Sequence, residues 1–453
     1  MTRKVVIIGA GGRDFHNFNT AFRNSSEYRV VAFVATQIPG IEYRRYPPSL
    51  AGELYPEGIP IYPLSELPNL VMRHGVDEVV LSFSDLTYEE LGKMLSLVLS
   101  LGCDFRILGP KSTMLESVKP VLAVTAVKTG AGKSTISRAF VAELMRRGAR
   151  VVVVRHPMAY GDIEKKSVQI FRSLNDVNSC ELSIEEREEI EPHLRMGAMV
   201  LLGVDYGKIL LEAERIGDVI LWDGGNNDWP FFRPQYMVVA VDALRPGLET
   251  STFPGEVNVR MADAVIITKV GQASEEDVER IIRNIRTVNS RAHIVKADME
   301  VEMAEPMHLS GKKVVIVEDY PTVTHGGAPY GAGYVIAKKH GAIVIDPRPY
   351  AVGFLKKVYD MYPHIGPVLP SAGYTQSQLR DLENTLNNAE AEVIVNASPI
   401  NIASTLKLNK PVVNVMWSLK IVEGPTIAEL VNEFLARIAT NPTSYQLENK
   451  AFS

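Results

Sequence analysis

The strongest constraint on the fold lies at residues 121–140, which read VLAVTAVKTGAGKSTISRAF. An apolar run typical of a buried strand leads into a glycine-rich loop, and apolar residues at helical spacing follow the loop. Backbone N–H groups in such a loop form a nest for phosphates at the positive end of the helix. The segment therefore predicts a strand, a phosphate-binding loop and a helix in that order.

Individual side chains of this loop have predicted roles. Lys133 is expected to contact the β and γ phosphates of a nucleotide, and the Ser134 hydroxyl is expected to bind Mg²⁺. The glycine that ordinarily opens such a loop is absent, because Val127 stands there and Lys128 follows. The candidate nucleotide-binding residues of the loop are Thr129, Gly130, Ala131, Gly132, Lys133, Ser134 and Thr135.

The run KTGAGKST, residues 128–135, resembles a deviant phosphate loop, Lys-Gly-Gly-x-Gly-Lys-Ser/Thr, with Thr129 in place of the first glycine. That loop belongs to the dimerising NTPases, which include the signal recognition particle GTPases, the septum-positioning ATPases and the nickel-insertion GTPases. The resemblance implies a homodimer in which Lys128 reaches the nucleotide of the partner as a catalytic residue. The alternative is that Lys128 is a solvated loop lysine.

Two acidic residues complete the predicted catalytic set. Asp223 ends the apolar run VILW and opens DGGNND, so its carboxylate is expected to hold Mg²⁺ together with Ser134. A strand that simply ends in a turn is the alternative. The resemblance to dimerising NTPases also implies an acidic residue near the attacked phosphate, after the second strand, and Asp162 is the candidate.

The stretch Thr268-Lys269-Val270-Gly271 bears on the choice of base. It stands where guanine-binding relatives carry Asn-Lys-x-Asp, and Lys269 is expected to pack along the base. Gly271 replaces the carboxylate that reads guanine, and the loss of such a hydrogen-bond partner removes most discrimination. ATP is therefore favoured over GTP, with loose specificity as the alternative.

Several longer motifs resemble one archaeal and bacterial family. They include GGRDFHNFN, KTGAGKS, VVRHPMAYGD, ILWDGGNNDWPFFRP and DALRPG, in this order. The family is known both as cyclic 2,3-diphosphoglycerate synthetases and as predicted P-loop GTPases. The resemblance implies that ATP phosphorylates 2,3-bisphosphoglycerate, after which the second phosphate closes an intramolecular anhydride.

A substrate with about five negative charges requires a cationic pocket. The candidates lie beside presumed strand ends. The alternative for each arginine is an ordinary surface role, and the alternative for His156 is a structural role. They are Arg155, His156, Arg233 and Arg245.

Alternating apolar runs and helical patterns predict an α/β fold with parallel sheets. We expect a Rossmann-like N-terminal domain at 1–118, a P-loop NTPase domain at 119–310 and a smaller α/β C-terminal domain at 311–453. The stretch between Ile38 and Pro63 is rich in glycine and proline, which predicts a loop. The last helix is expected at 426–439.

The first strand is followed by Gly9, Gly11 and Gly12, a pattern that resembles a dinucleotide or coenzyme A fingerprint. No acidic residue ends the second strand, so the ribose of NAD would lack its usual carboxylate partner. The alternatives are another phosphorylated ligand or a role in dimerisation. The glycine-rich run at 325–333 is expected to be either a second phosphate nest or a mobile loop.

Composition excludes several classes of protein. The formal net charge of −5 does not suit a dedicated nucleic-acid binder. The amino terminus lacks a signal-peptide layout, and no apolar stretch reaches the length of a membrane span. The two cysteines are isolated, which fits a reducing cytoplasm.

Three functions remain in competition at this point. The first is an ATP-dependent synthetase or kinase acting on a small phosphorylated acid. The second is a GTPase or ATPase switch that acts through a protein partner, and the third is a nucleotide-binding scaffold. Metal delivery is disfavoured because the nine histidines are scattered.

Overall fold

A computed structural model describes residues 2–36, 41, 43–156, 163–180, 182, 184–225, 227–304, 306–324, 327–372, 375–398 and 402–440. The chain divides into two compact units. The first contains everything up to Arg172, then Ala198–Ala297, and the chain from Ile421 onward. The second contains Ser173–Gly197 and Asp298–Lys420.

The N-terminal part of the first unit alternates strands with helices. Its strands are β1 (Arg3–Ile8), β2 (Tyr28–Ala35), β3 (Arg45–Tyr46), β4 (Ile59–Pro63), β5 (Glu78–Leu81), β6 (Leu86–Thr87) and β7 (Asp104–Ile107). Its helices are α1 (Arg13–Ala21), α2 (Pro48–Ala51), α3 (Leu67–His74), α4 (Tyr88–Ser100) and α5 (Pro110–Thr113).

The sheet of this part runs in the order β3-β4-β2-β1-β5-β7, and all its pairs are parallel except β3 with β4. That order is Rossmann-like, as predicted. The segment predicted to be loop between Ile38 and Pro63 contains β4, so that prediction was wrong there. β4 holds three residues in register with β2 despite its prolines, and its side chains Ile59 and Ile61 are buried.

The central part begins with the strand before the glycine-rich loop. Its strands are β8 (Val121–Ala126), β9 (Val151–Arg155), β10 (Gln169–Phe171), β11 (Met199–Leu202), β12 (Val219–Asp223), β13 (Tyr236–Asp242), β14 (Thr252–Phe253), β15 (Ala264–Thr268) and β16 (His293–Met303). Its helices are α6 (Lys133–Arg146), α7 (Leu174–Asn178), α8 (Ile184–Arg195), α9 (Tyr206–Ile216), α10 (Leu248–Ser251), α11 (Gly255–Met261) and α12 (Glu275–Val288).

The central sheet follows the order β10-β11-β9-β12-β8-β13-β15-β16. Its strands are parallel except for β10, and β8, β9, β12, β13 and β15 are buried throughout. β8 lies between β12 and β13, so the loop after β8 and the side chains ending both neighbours meet at one edge of the sheet. The carboxyl edge of a parallel sheet is where such folds bind ligands.

The described residues beyond Met303 add further strands and helices. The strands are β17 (Lys313–Glu318), β18 (Ile343–Val344), β19 (Leu369–Pro370), β20 (Val393–Asn396) and β21 (Val412–Glu423). The helices are α13 (Tyr320–Val323), α14 (Ala332–Lys339), α15 (Phe354–Met361), α16 (Gln376–Asn388), α17 (Ile402–Thr405) and α18 (Ile427–Thr440). In the second unit β17 pairs in parallel with β18, β19 and β20, around a core of its own.

The predicted α/β class with parallel sheets is therefore confirmed. The two compact units do not have the boundaries of the three predicted domains. The last helix, α18, belongs to the first unit, because Arg147 of α6 donates to Asn432 and to the carbonyl of Ala428. None of the helices between residues 13 and 440 that the structure describes has the length and hydropathy of a membrane span.

Candidate active site

The glycine-rich loop joins β8 to α6 with two residues in the left-handed region. Gly130 has φ 86° and Gly132 has φ 90°, and α6 begins directly after Gly132. Only glycine adopts this conformation without steric cost, so the sequence places glycine where the backbone requires it. The loop thus delivers Lys133 and Ser134 to the first turn of a helix whose N-terminus favours anions.

Donors from neighbouring segments hold four carbonyl groups of this loop. The carbonyl of Val127 accepts hydrogen bonds from Asn227 and Thr252. The carbonyl of Thr129 accepts from Arg245, and the carbonyl of Gly130 accepts from Lys269. The carbonyl of Ala131 accepts from Thr268, and all these distances are 2.7–3.0 Å. In a trans peptide the following N–H points away from the carbonyl. Holding the carbonyls outward therefore turns the amides of the loop toward the opposite side, which is the arrangement of a phosphate nest.

Asp242 organises two of those donors, and sequence reasoning missed it. It ends β13 almost fully buried, and its Oδ2 accepts from Arg245 Nε at 2.9 Å and from Lys269 Nζ at 2.7 Å. Asp242 ends an apolar strand as Asp223 does, and that shared pattern was the available signal. Arg245 and Lys269 therefore brace the loop; their predicted contacts with substrate and base stay predictions.

Asp223 lies fully buried between two cations at the end of β12. Its Oδ1 accepts from Lys133 Nζ at 2.5 Å, and its Oδ2 accepts from the guanidinium of Arg155. Arg155 ends β9, directly opposite Asp223 in the register. The fold thus brings together three residues that the sequence singled out, from three different elements.

The donors at this edge fit magnesium. Ser134 is exposed in the first turn of α6 and offers a hydroxyl oxygen, while Asp223 offers carboxylate oxygens. Mg²⁺ prefers hard oxygen ligands of this kind. In the described part of the chain no group of three or more His, Cys, Asp or Glu side chains is placed to hold a metal. Nucleotide phosphates and water would therefore supply the remaining ligands.

Lys128 is held by the N-terminal part of the same chain. Its Nζ donates to the carbonyl of Asp85 at 2.9 Å and lies 3.2 Å from Asp85 Oδ1. The Thr129 hydroxyl donates to the same carboxylate at 3.4 Å. Asp85 precedes β6, which pairs with β14. Contact of Lys128 with a partner nucleotide stays a prediction.

A second cluster lies just beyond the ends of β9 and β12. The buried guanidinium of Arg13 donates through Nε to Asp228 Oδ1 at 2.6 Å, and Asp228 Oδ2 lies 3.7 Å from His156 Nε2. His156 follows Arg155 in the chain. Gly12 is in close contact with this imidazole, because a Cβ on Gly12 would lie 1.7 Å from His156 Cε1. Sequence reasoning found His156 and Gly12 but missed Arg13 and Asp228.

The N-terminal glycine loop already contains a carboxylate. Oδ1 of buried Asp14 accepts from the amides of Gly11, Gly12 and Phe15 at 2.8–3.1 Å, while Gly9 lies against the same side chain. Burial raises the pKa of Asp14 to about 6. These amides are satisfied within the chain, so the predicted ligand loop acts here as an internal cap that carries Gly12 toward His156.

Two predicted site residues lie elsewhere. Arg233 is half exposed and pairs with Glu116 at 2.7 Å, so the structure does not bring it to the loop. Asp162 lies outside the described residues, as do His325 and Gly326 of the C-terminal glycine-rich run. Of the loop residues, Ala131 and Thr135 are buried, and Thr135 accepts from Arg138 at 3.2 Å.

The second unit contains one buried carboxylate at a comparable position. Glu318 ends β17, and it accepts from the amides of Gly333 at 3.3 Å and Tyr334 at 2.9 Å, at the start of α14. Burial raises its pKa to about 7. The first turn of α14 therefore holds an internal carboxylate, as the N-terminal loop does.

Comparisons with known proteins place these features in context. No profile of a known protein family matches the chain. The solved structure of LpxK from Aquifex aeolicus in complex with ATP aligns with 78% of this chain and 96% of its own, at 15% identity. Its TM-score of 0.46 is too low to carry an argument.

Two curated relatives have sequences that align with this chain at higher identity. Cyclic 2,3-diphosphoglycerate synthetase from Thermococcus gammatolerans is 26% identical over 57% of this chain and 65% of its own length. Arginine synthetase ArcE from Thermococcus kodakarensis is 49% identical over 95% of this chain and 97% of its own length. The predicted resemblance to the first protein is thus real but distant, and the prediction of an ATP-dependent enzyme is confirmed. Identity at that level over almost the whole of both chains shows that this protein belongs to the family of arginine synthetase ArcE.

Proposed function

We propose that this protein is an ATP-dependent synthetase that forms arginine from citrulline and ammonia. The observation that carries the proposal is the buried carboxylate of Asp223 between Lys133 and Arg155, at the carboxyl ends of adjacent strands and in front of the phosphate loop. Such a site suits transfer of a γ-phosphoryl group to an oxygen next to the nucleotide. The printed name of the 49% identical relative supports arginine as the product.

The chemistry balances as a phosphorylation followed by a displacement. The ureido oxygen of citrulline attacks the γ-phosphorus of ATP, the bond to the bridging oxygen breaks, and ADP leaves. Ammonia then attacks the ureido carbon, the carbon–oxygen bond breaks, and phosphate departs with that oxygen. A C–N bond has replaced a C–O bond, and the proton given up by the nitrogen is taken by phosphate or a nearby base.

The residues of the site support distinct parts of this reaction. Lys133 is suited to the β and γ phosphates, and Arg155 to charge that develops on the transferring group. Asp223 keeps both cations in place, and with Ser134 it is the proposed holder of Mg²⁺, which would neutralise phosphate charge. His156, one residue beyond Arg155, is suited to the acceptor side.

A second candidate is closure of 2,3-bisphosphoglycerate to its cyclic anhydride. The relative from Thermococcus gammatolerans supports it, although the match extends over only 57% of this chain. The cations Lys133, Arg155 and Arg13 on the same side of the sheet also suit a highly anionic acceptor. Family membership favours either synthetase over a switch that acts through a protein partner.

One experiment separates the two reactions. Purified protein with Mg²⁺ and ATP is supplied with citrulline and ammonium, or with 2,3-bisphosphoglycerate, and ADP, arginine and the phosphorus NMR spectrum are followed. We expect citrulline-dependent ADP release with equimolar arginine and phosphate. A new anhydride resonance without arginine would establish the second candidate. ADP release that ignores both acceptors would overturn the proposal.

The remaining features of the proposed enzyme rest on the phosphate loop and on composition. We propose ATP in preference to GTP, because Gly271 offers no carboxylate to guanine. A homodimer is proposed from the resemblance of Lys128 to a residue that acts across an interface. A cytoplasmic location is proposed from the two isolated cysteines, with no nucleic acid or membrane as partner.

A further inference from the structure

The guanidinium of Arg13 is buried. Nε donates to Asp228 Oδ1 at 2.6 Å, Nη2 donates to the carbonyl of Trp229 at 3.1 Å, and the group stacks on the Trp229 ring at 3.9 Å. Among the residues that the structure describes, Nη1 has no hydrogen-bond partner although it is buried. Arg13 itself is only 4% exposed.

Such a nitrogen calls for an explanation in physical terms. A buried polar group without a partner loses its hydrogen bonds to water without replacement, so native proteins retain few of them. Arg13 is also rigidly placed, because two hydrogen bonds and one ring already fix its plane. A fixed plane with a remaining donor is the form in which arginine recognises oxyanions.

The residues around Arg13 add charge and one partly exposed side chain. Asp228 offers its other oxygen to His156 at 3.7 Å, and the His156 side chain is 20% exposed. The chain leads from His156 directly to Arg155, whose guanidinium contacts Asp223. Arg13 thus belongs to a cluster that adjoins the phosphate end of the site, and His156 is the partly exposed member of that cluster.

We propose that Arg13 binds an oxyanion of the acceptor substrate through Nη1, with Asp228 holding its guanidinium in plane and His156 flanking the entry. Arg13 is then a specificity-determining residue for the reaction proposed above, on which this inference rests. The oxyanion is a carboxylate if the acceptor is an amino acid and a phosphate if it is a phosphorylated acid. The two sources share the same chemistry at Nη1.

The stacked Trp229 ring provides a binding signal that does not require turnover. With the phosphate loop filled by a non-hydrolysable ATP analogue, citrulline and 2,3-bisphosphoglycerate are titrated separately while tryptophan emission is followed. We expect a saturable change with one of them, absent from the Trp229→Phe variant. A wild-type protein whose emission responds to neither acceptor and not to inorganic phosphate would overturn the inference, whatever the variants do.

Kinetics separate binding from folding. Arg13→Lys keeps the charge but loses the planar fork, and we expect the KM of the acceptor to rise about tenfold while the KM of ATP changes less than about twofold. Arg29→Lys is the matched control, because Arg29 also stacks on a ring, that of Tyr55 at 4.6 Å, but lies exposed at the amino end of β2. Equal losses for acceptor and ATP, or for the two variants, would overturn the inference.

The failure of this inference can be told apart from the failure of the proposed function. If neither acceptor is turned over, the proposed reaction fails, and inorganic phosphate then serves as the probe at Trp229 with the ATP analogue bound. An emission change that Arg13→Lys abolishes and Arg29→Lys preserves would still place an oxyanion at Arg13. If arginine forms but Arg13→Lys leaves the acceptor KM unchanged, only the inference fails.

Discussion

Nζ of Lys133 lies 2.5 Å from Oδ1 of Asp223. The lysine that is predicted to contact nucleotide phosphates is therefore held by the carboxylate at the end of β12. Asp223 is fully buried and also accepts from Arg155, which makes it a carboxylate between two cations. A buried ion pair is costly to break from one side. Nucleotide phosphates would offer Lys133 an equivalent charge, which would leave Asp223 to Arg155 and the proposed Mg²⁺.

Asp223→Asn should abolish synthesis while sparing much of the affinity for ATP. The amide keeps the shape but removes the charge that holds Lys133 and Arg155, so we expect kcat to fall about 10²–10³-fold. Single-turnover ADP formation and equilibrium binding of ATP measure the two effects. Asp218→Asn is the control, since Asp218 precedes the same strand and pairs with exposed Arg150. A variant with kcat near wild type would contradict the assignment.

Asp242→Asn should weaken ATP binding more than catalysis. Asp242 holds Arg245 and Lys269, which in turn hold the carbonyls of Thr129 and Gly130. Loosening both donors lets the nest lose its shape, and we expect the KM of ATP to rise about tenfold.

The control for this variant is Asp263→Asn, which removes an ion pair to Arg437 and touches no residue of the loop. Initial rates over a range of ATP concentrations decide the question. If the KM of ATP stays constant while both variants lose similar thermal stability, Asp242 is only a structural residue.

Gly12→Ala should impair turnover by displacing His156. The added Cβ would lie 1.7 Å from His156 Cε1. Two atoms that are not bonded to each other cannot come so close, so the imidazole must move. We expect kcat to fall at least tenfold, because a small misplacement at a reacting centre has large effects. Gly92→Ala in α4 is the control, since its Cβ meets nothing within 4 Å and helical alanine is favoured over glycine. Wild-type kcat in Gly12→Ala would remove His156 from the site.

Asp14 should make stability fall as the pH rises. Burial raises its pKa to about 6 from 3.8, so the native state binds more protons than the unfolded chain between about pH 4 and 6. The free energy of unfolding therefore decreases through that window, by about 3 kcal/mol for this group, and levels off above it.

Asp14→Asn tests the sign. The amide oxygen still accepts the three backbone bonds and carries no charge, so the variant lacks this part of the pH dependence. Urea unfolding at pH 4.5 and 7.5 should show the stability of the variant, relative to wild type, increasing toward the higher pH. Glu318 has the same sign but is present in both proteins, so its effect cancels. Equal pH slopes would show that Asp14 is not the source.

Mixing two inactive variants should restore activity if Lys128 acts across a dimer. Lys128→Ala keeps a complete phosphate loop and needs a partner lysine, whereas Lys133→Ala can supply that lysine. We expect about a quarter of wild-type activity, because half of randomly mixed dimers are heterodimers and each has one complete site. The separate variants are the controls. Without restoration, Lys128 acts only within its own chain, where it contacts Asp85.

The sequence alone determined the elements and the core of the site. Helix α12, Glu275–Val288, forms where its apolar residues repeat at helical spacing and Ser274 caps its first turn. The strand, loop and helix around Lys133 followed from the glycines, whose positive φ angles the loop requires. These properties are local, since each depends on residues within a few positions of one another.

Tertiary structure alone decided which distant side chains meet. Arg13 and Asp228 are 215 positions apart, and Lys128 lies 43 from Asp85. No spacing of residues in the sequence predicts such pairs. Helix α18 was predicted as a helix, but only packing placed it beside α6. The periodicity of apolar residues indicates which face of a helix or strand is buried. The partner of a buried charge depends on how separate elements pack together. Only the folded chain shows that packing.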